Sequence, residues 1–595
     1  MSAGFDMPPE YTGAKPKSSS ERTRNIALGV GGIVIIVLLC CCVVAAVVIF
    51  IDPFGLHLFG RLTGRYDAAS TVMPAETGVY MGVNLINLQS EKNSQLIEVF
   101  GNAIGRSDIK DTTTLQNELD KTMQEQLGVS VSQDVIPWVG QYAGIGITDV
   151  TYDTAGTPQN PKYLLAIETR DKNAADAFLV KLRDQLTQKT GLTFAETDYK
   201  GAHIYSAQTT NAPEQTVFTR SGNIVMIGTG ENTLQRAIDA QKGKSLADTS
   251  DFNNMVKQLP ANRLATIYLT GEQVQSLLKQ MNTSAVAPSI QGITNLGFRE
   301  IMVTLSVVDA GMQLDSVVAY DATKLTDAQK EVFKYTGTKP KTDSIFPNDT
   351  LLFISGQRLD LAWNANREML NQALGAADLN EALKMLEKEI NINIETDLIQ
   401  YLNGEIAFGL FSSSDGLLPE TAKINLGFSL LAETNNTVAL GTTLEKLNTA
   451  LSISGAAVND IQISGMSFYE LGSPLGGGSF GTYGLSPKYL VISTSTKSVE
   501  EMFGGGNKLS GEARYRQVLK ALPRGTALVM YFDIEGLLGT IKEAVGTLGV
   551  ESFTEATQVI APIKAIVVAN SPVRNDIARS TILIFIPTGD RSINP

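Results

Sequence analysis

DVIPWVGQYAGIGI, residues 134–147, returns later in the same chain as DLIQYLNGEIAFGL, residues 397–410. The two stretches align Asp134 with Asp397, Trp138 with Tyr401 and, across one inserted residue, Gly140 with Gly404. Working outward, MPAETGVYMGV from Met73 resembles FPNDTLLFISG from Phe346. In each a proline, Pro74 or Pro347, is followed three residues later by Thr77 or Thr350 and then by an apolar strand. YLLAIETRDK from Tyr163 matches LGFSLLAETNN from Leu426, both ending in Glu-Thr just before a helical stretch. YKGAHIY from Tyr199 pairs with ISGMSFY from Ile463, and NIVMIGTG from Asn223 with YLVISTST from Tyr489. LPANRLATIYLTGEQV from Leu259 pairs with LPRGTALVMYFDIEGL from Leu522, and IMVTLSVV from Ile301 with IKAIVVAN from Ile563. Each match is weak alone. Their common order, at offsets held between about 262 and 273 residues, is the signature of an internal repeat.

The expected class is therefore α+β: one N-terminal transmembrane helix, then two tandem copies of a mainly antiparallel sheet with packed helices. The first copy is expected at 66–335 and the second at 342–595, with 336–341 as a turn-rich linker. Glycine turns, KG at Lys200 and SGN at Ser221, lie between adjacent strands and predict hairpins, with helices on one side of the sheet. LNEALKMLEKEI puts Leu379, Leu383, Leu386 and Ile390 on one helix face, which is expected to be buried.

Residues 26–51, IALGVGGIVIIVLLCCCVVAAVVIFI, carry no charge. At about 1.5 Å per residue such a helix is longer than the roughly 30 Å apolar core of a bilayer, so it is expected to span. Lys15, Lys17, Arg22 and Arg24 precede it and only Arg61 and Arg65 closely follow, which puts residues 1–25 in the cytoplasm and the body outside. The first 25 residues read as a disordered tail and 52–65 as a juxtamembrane linker. Cys40, Cys41 and Cys42 are the only cysteines, so the body has neither disulfides nor thiolate metal sites.

This arrangement of tail, single membrane helix and long body resembles a bacterial family catalogued as domain of unknown function 3352. The residues that carry the resemblance are Pro74, Pro347, Trp138, Gly140 and Gly404. It implies the anchor and the architecture, and brings no activity with it.

Composition excludes some chemistry. A net charge of −13 without a Lys/Arg run speaks against nucleic acid, which needs a basic face. The only histidines, His57 and His203, have no partner histidine or cysteine in the sequence pattern, so no imidazole metal site is expected. GGGSFG at 476–481 fits both a dinucleotide fingerprint and a nucleophile elbow, but a strand, not a helix, is expected next, and no histidine follows Ser479. Asp134 and Asp397 read as cap or turn residues, and Trp138 with Tyr401 as core. No catalytic, cofactor or metal residue is assigned. The expected role is a non-catalytic binding or scaffolding protein of the bacterial envelope. Its partners are the bilayer, through the N-terminal helix, and an envelope protein or apolar ligand in a groove between the copies. The alternatives are a membrane-tethered hydrolase and a carrier of lipid or another apolar ligand.

Overall fold

The computed structural model describes residues 67–587 except 86–105, 107, 110, 149–150, 153–157, 160, 209–214, 262, 282–296, 374–378, 415–424, 473–478 and 546–560. The tail, the apolar stretch 26–51, the linker 52–65, the three cysteines and His57 lie outside the described residues. Among the described residues no helix is long and apolar enough to cross a membrane.

The protein is a mixed α+β chain organised on one large antiparallel sheet. Its earlier strands are β1 (Val79–Asn84), β2 (Val139–Thr148), β3 (Thr151–Tyr152), β4 (Pro158–Gln159), β5 (Lys162–Thr169), β6 (Thr193–Tyr199), β7 (Ala202–Gln208), β8 (Thr216–Ser221), β9 (Ile224–Thr229), β10 (Arg263–Thr270), β11 (Phe298–Val308) and β12 (Gly311–Tyr320). The later strands are β13 (Thr350–Gln357), β14 (Glu405–Ser412), β15 (Leu426–Glu433), β16 (Val458–Ile463), β17 (Met466–Gly472), β18 (Ser479–Leu485), β19 (Tyr489–Ser493), β20 (Ala527–Asp533), β21 (Ala565–Asn570) and β22 (Ile577–Phe585). β3 and β4 form a separate small ribbon.

The pairings make a single path that can be read outward from its middle. On one side runs β12-β11-β10-β1-β2-β5-β9-β8-β7-β6. On the other runs β22-β21-β20-β13-β14-β15-β19-β18-β17-β16, the same order ten strands long. The two runs meet where β12 pairs antiparallel with β22, Asp315 opposite Thr581. The edge hairpins turn on Lys200-Gly201 and Ser464-Gly465, all four at positive φ. Two such residues in succession give the turn whose twist matches that of the flanking strands.

Helices cover both faces, where the sequence pointed to one. The cause is legible in β5, whose consecutive residues Leu164 to Ile167 are all buried, so each side needs its own cover. On the closed face Leu164, Ala166, Tyr80 and Met302 pack with Leu234 and Ala237 of the helix Glu231–Ala240 and Phe252 of the helix Ser250–Val256. The same face of the second run sets Phe353, Leu431 and Val567 against Val499, Met502, Tyr515 and Val518. On the opposite face Leu165 and Ile167 pack with Phe178 and Leu179 of the helix Lys172–Thr190. There, in the second run, Ala432 and Leu490 pack with Leu440 and Leu444 of the helix Thr437–Ile453.

The helix Leu379–Ile390 forms as its periodicity predicts, yet the burial expected of its apolar face is not there. Only Leu379 is buried; Leu383 and Ile390 are half-buried and Leu386 is exposed. The helix stands beside the helix Thr437–Ile453 at the periphery rather than on the sheet, so nothing among the described residues closes over it.

Candidate functional site

The residues that recur along the sequence hold the backbone in the same way in both runs. Thr77 donates its hydroxyl to the Pro74 carbonyl at 2.7 Å and Thr350 to that of Pro347 at 2.6 Å. Pro74 bridges to Ser245, and Pro347 to Lys508. A Cβ on Gly140 would lie 2.9 Å from Cγ of Glu168, and one on Gly404 would lie 2.7 Å from Cβ of Glu433. These are the glutamates of the two Glu-Thr pairs. Glu168 accepts from the backbone N–H of Gln141 and Tyr142, and Glu433 from that of Glu405. Glycine is thus required where each carboxylate reaches the start of the neighbouring, earlier strand. Burial raises the Glu168 carboxyl above the usual range, against those two hydrogen bonds.

Asp134 and Asp397 occupy matching wide helical turns, Val131–Val135 and Ile394–Leu398. Each closes its turn from four residues downstream, accepting from the N–H of Ser130 at 2.8 Å or Asn393 at 3.3 Å. Each also pairs with a lysine of the following long helix, Lys181 at 2.7 Å and Lys446 at 2.9 Å. The Lys446 ammonium holds the Asp397 carboxyl below its ordinary value. Each aspartate is engaged within its own run, in the turn role read from the sequence. Trp138 is buried against Phe178, with its indole N–H donated to the Asp134 carbonyl at 2.8 Å; Tyr401 is half-buried against the matching cluster. Ser479 opens strand β18, and the glycines before it lie outside the described residues. His203 is exposed on β7 between Asp198 at 3.2 Å and Glu196 at 3.1 Å, which raise its pKa in that order. Among the described residues no three His, Cys, Asp or Glu side chains gather as a metal site would need.

Sequence reasoning missed the buried charges. Asp315, fully buried at the seam, accepts from Arg579 Nη2 at 2.8 Å, Thr581 Oγ1 at 2.6 Å and Gln313 Nε2 at 2.6 Å. Its parity with the buried Val317 and Ala319 of β12 is the clue in the sequence, but its partners Arg579 and Thr581 lie far along the chain. Buried Glu405 accepts from the Ser355 hydroxyl at 3.0 Å and the Lys341 N–H at 2.9 Å. Glu300 is buried near Tyr268 and Asp251; burial first, then the Asp251 charge, pushes its carboxyl up to about 7. All three carboxylates are buried.

The surface that stands out among the described residues is the middle of the sheet face opposite the closed one, a partly open face. Paired residues Val83, Ala265, Leu305, Leu314, Ile582, Val568, Met530, Ile354 and Phe408 form one apolar row from β1 across the seam to β14. Every member is half-buried or exposed, Ile582 at 39% and Ile354 at 38%. Met81 and Ile267, paired with one another in the next row, are exposed at 40% and 38%. The helices Gly271–Met281 and Ile534–Val545 follow β10 and β20 and pack on the strands of this region. Two open depressions elsewhere are of mixed polarity. One of about 560 Å³ lies by Glu76, Phe298, Arg299 and Lys324, and one of about 510 Å³ by Ile453, Asp460 and Tyr469.

Fold and site together define an α+β protein whose repeated polar residues serve its backbone and whose sheet carries a partly exposed apolar row among the described residues. The chain belongs to the family described as Protein of unknown function (DUF3352), whose model matches residues 32–585. No curated protein matches it. Among solved structures it is similar to crystal forms I, IV and III of TP0453, at 8%, 9% and 8% identity and TM-scores of 0.22, 0.24 and 0.23. The matches cover 44%, 43% and 45% of this chain and 82%, 81% and 86% of those chains. At these scores no common fold is implied.

Proposed function

We propose that this chain is a non-catalytic, membrane-anchored binding or scaffolding protein of the bacterial envelope. In this reading residues 26–51 span the bilayer, residues 1–25 are cytoplasmic, and the body, two copies of one α+β unit at 66–335 and 342–595, lies outside. The identical strand order of the two runs supports the duplication. The observation that supports a binding role most is the open apolar row crossing the β12–β22 seam, since soluble surfaces rarely expose contiguous apolar area without a partner for it. The engagement of Asp134 and Asp397 by turn and lysine supports a structural use of the recurring carboxylates. Protease added to intact cells is expected to digest the body while residues 1–25 stay protected. Full protection of the body would overturn its outward placement. Recovery of the whole chain in the soluble fraction without detergent would overturn the anchor.

A further inference from the structure

We infer that the open face across the seam takes the acyl chains of bilayer lipid. The inference rests on the anchored reading above and names the ligand class for its binding surface. Scattered exposed aliphatic residues would need no explanation, because much of any protein surface is apolar. Here, however, Leu305, Leu314, Ile582, Met530 and Ile354 sit in one hydrogen-bonded register on successive or near-successive strands. With strands about 4.8 Å apart, the row from β1 to β14 runs for roughly 40 Å, a strip rather than a spot. It bears no charged side chain, and its members are aliphatic except for Met530 and, at the end, Phe408. Protein interfaces of comparable extent place Arg, Tyr or Trp among the apolar contacts and rim them with polar groups. A flexible hydrocarbon asks only for a continuous apolar strip.

Chain length supplies the second argument. The apolar stretch ends at Ile51 and the described fold begins at Asp67. The intervening residues 52–66 reach at most about 50 Å even when fully extended. A body tethered so closely meets lipid at high effective concentration, whereas an apolar partner free in solution must arrive by diffusion.

The test uses the full-length chain in vesicles of phosphatidylethanolamine and phosphatidylglycerol doped with a phospholipid that carries a diazirine in its acyl chain. After irradiation, adducts are mapped by mass spectrometry. Adducts are expected on peptides containing Leu305, Leu314, Ile582 and Ile354 as well as on residues 26–51. In the double variant Ile354→Lys, Ile582→Lys the body adducts are expected to fall roughly tenfold relative to those on the anchor, since a charge replaces buried aliphatic contact. An unchanged circular-dichroism melt would show that the variant still folds; if it does not fold, the wild-type map alone decides. Adducts confined to residues 26–51 would overturn the inference and leave the anchor standing. A chain that fails to float with the vesicles would overturn the anchored reading itself. Absence of lipid adducts on the body, with a bifunctional diazirine cross-linker added to the same vesicles joining Ile582 peptides of two chains, would assign the face to a second copy and overturn the inference.

Discussion

Tyr80 in β1 and Phe353 in β13 hold matching places: each lies opposite a glycine on one neighbour, Gly146 or Gly409, and a tyrosine on the other, Tyr268 or Tyr531. Over those second tyrosines stand Phe252 and Tyr515, edge to face, at 5.4 and 5.1 Å. The first run therefore carries its hydroxyl on the strand and the second on the helix. The acceptor is an aspartate near the start of each run: Tyr80 donates to Asp67 at 2.5 Å, and Tyr515 to Asp343 at 3.1 Å. Burial raises both aspartates above their ordinary values. The backbone arrangement and the aromatic contact persist while the polar atom moves. Each interior holds a tyrosine-to-aspartate hydrogen bond, donated from a strand in the first run and from a helix in the second.

The seam offers the strongest way to break that comparison, because it belongs to neither run alone. Arg579→Met should cost about 3 kcal/mol, leaving Asp315 buried without its cation, and should lower the urea midpoint of the whole body in one transition. Separate melting of the two runs would mean that the seam does not couple them. Gly140→Val and Gly404→Val should each cost about 2–3 kcal/mol, as both force a side chain into a glutamate. A large difference between them would show that the Gly–Glu contact matters in one run only.

Glu300 sharpens the contrast by pH. Its folded pKa of about 7 lies above the unfolded value near 4.3, so the folded state holds the proton more tightly and stability falls as pH rises between those values. Glu300→Gln should flatten that slope and gain about 2 kcal/mol over the wild type at pH 8, read from paired unfolding curves. A slope left unchanged would place the titration elsewhere. The smallest effect is expected of the hydroxyls themselves: Tyr80→Phe should cost about 1.5 kcal/mol and Tyr515→Phe about 1, measured by urea unfolding. Equal and negligible costs would mean that neither bond contributes.

Much of this architecture is legible in the order of residues alone. Gly140 and Gly404, Pro74 and Pro347, and the two Glu-Thr pairs stand out because they act on nearby backbone, where spacing is fixed. The second covered face is legible in principle from the unbroken apolar run at Leu164–Ile167, which alternation alone would not produce. The fate of Leu386 is not, because a 3.6-residue period tells that a helix has an apolar face and not what stands against it. Asp315 and Arg579 are illegible for a different reason. Their contact joins a strand in the middle of the chain to one near its end, 264 residues apart, and each looks alone like an ordinary charge in a strand. The open row is hidden because β11 is apolar at Ile301 and Val303 on one side and at Met302 on the other, and only the register tells which side is covered.

The pairing of Asp315 with Arg579 also bears on how molecules avoid one another. Should β12 and β22 part, each would offer a bare edge, an invitation to polymerise with its twin on another chain. Antiparallel self-pairing of β12 in a register centred on Asp315 would bring two aspartates face to face in a dry interior, and self-pairing of β22 centred on Arg579 would crowd two guanidinium groups. Opposite signs on the two edges make intramolecular closure the favourable match and disfavour fibre growth by either edge alone.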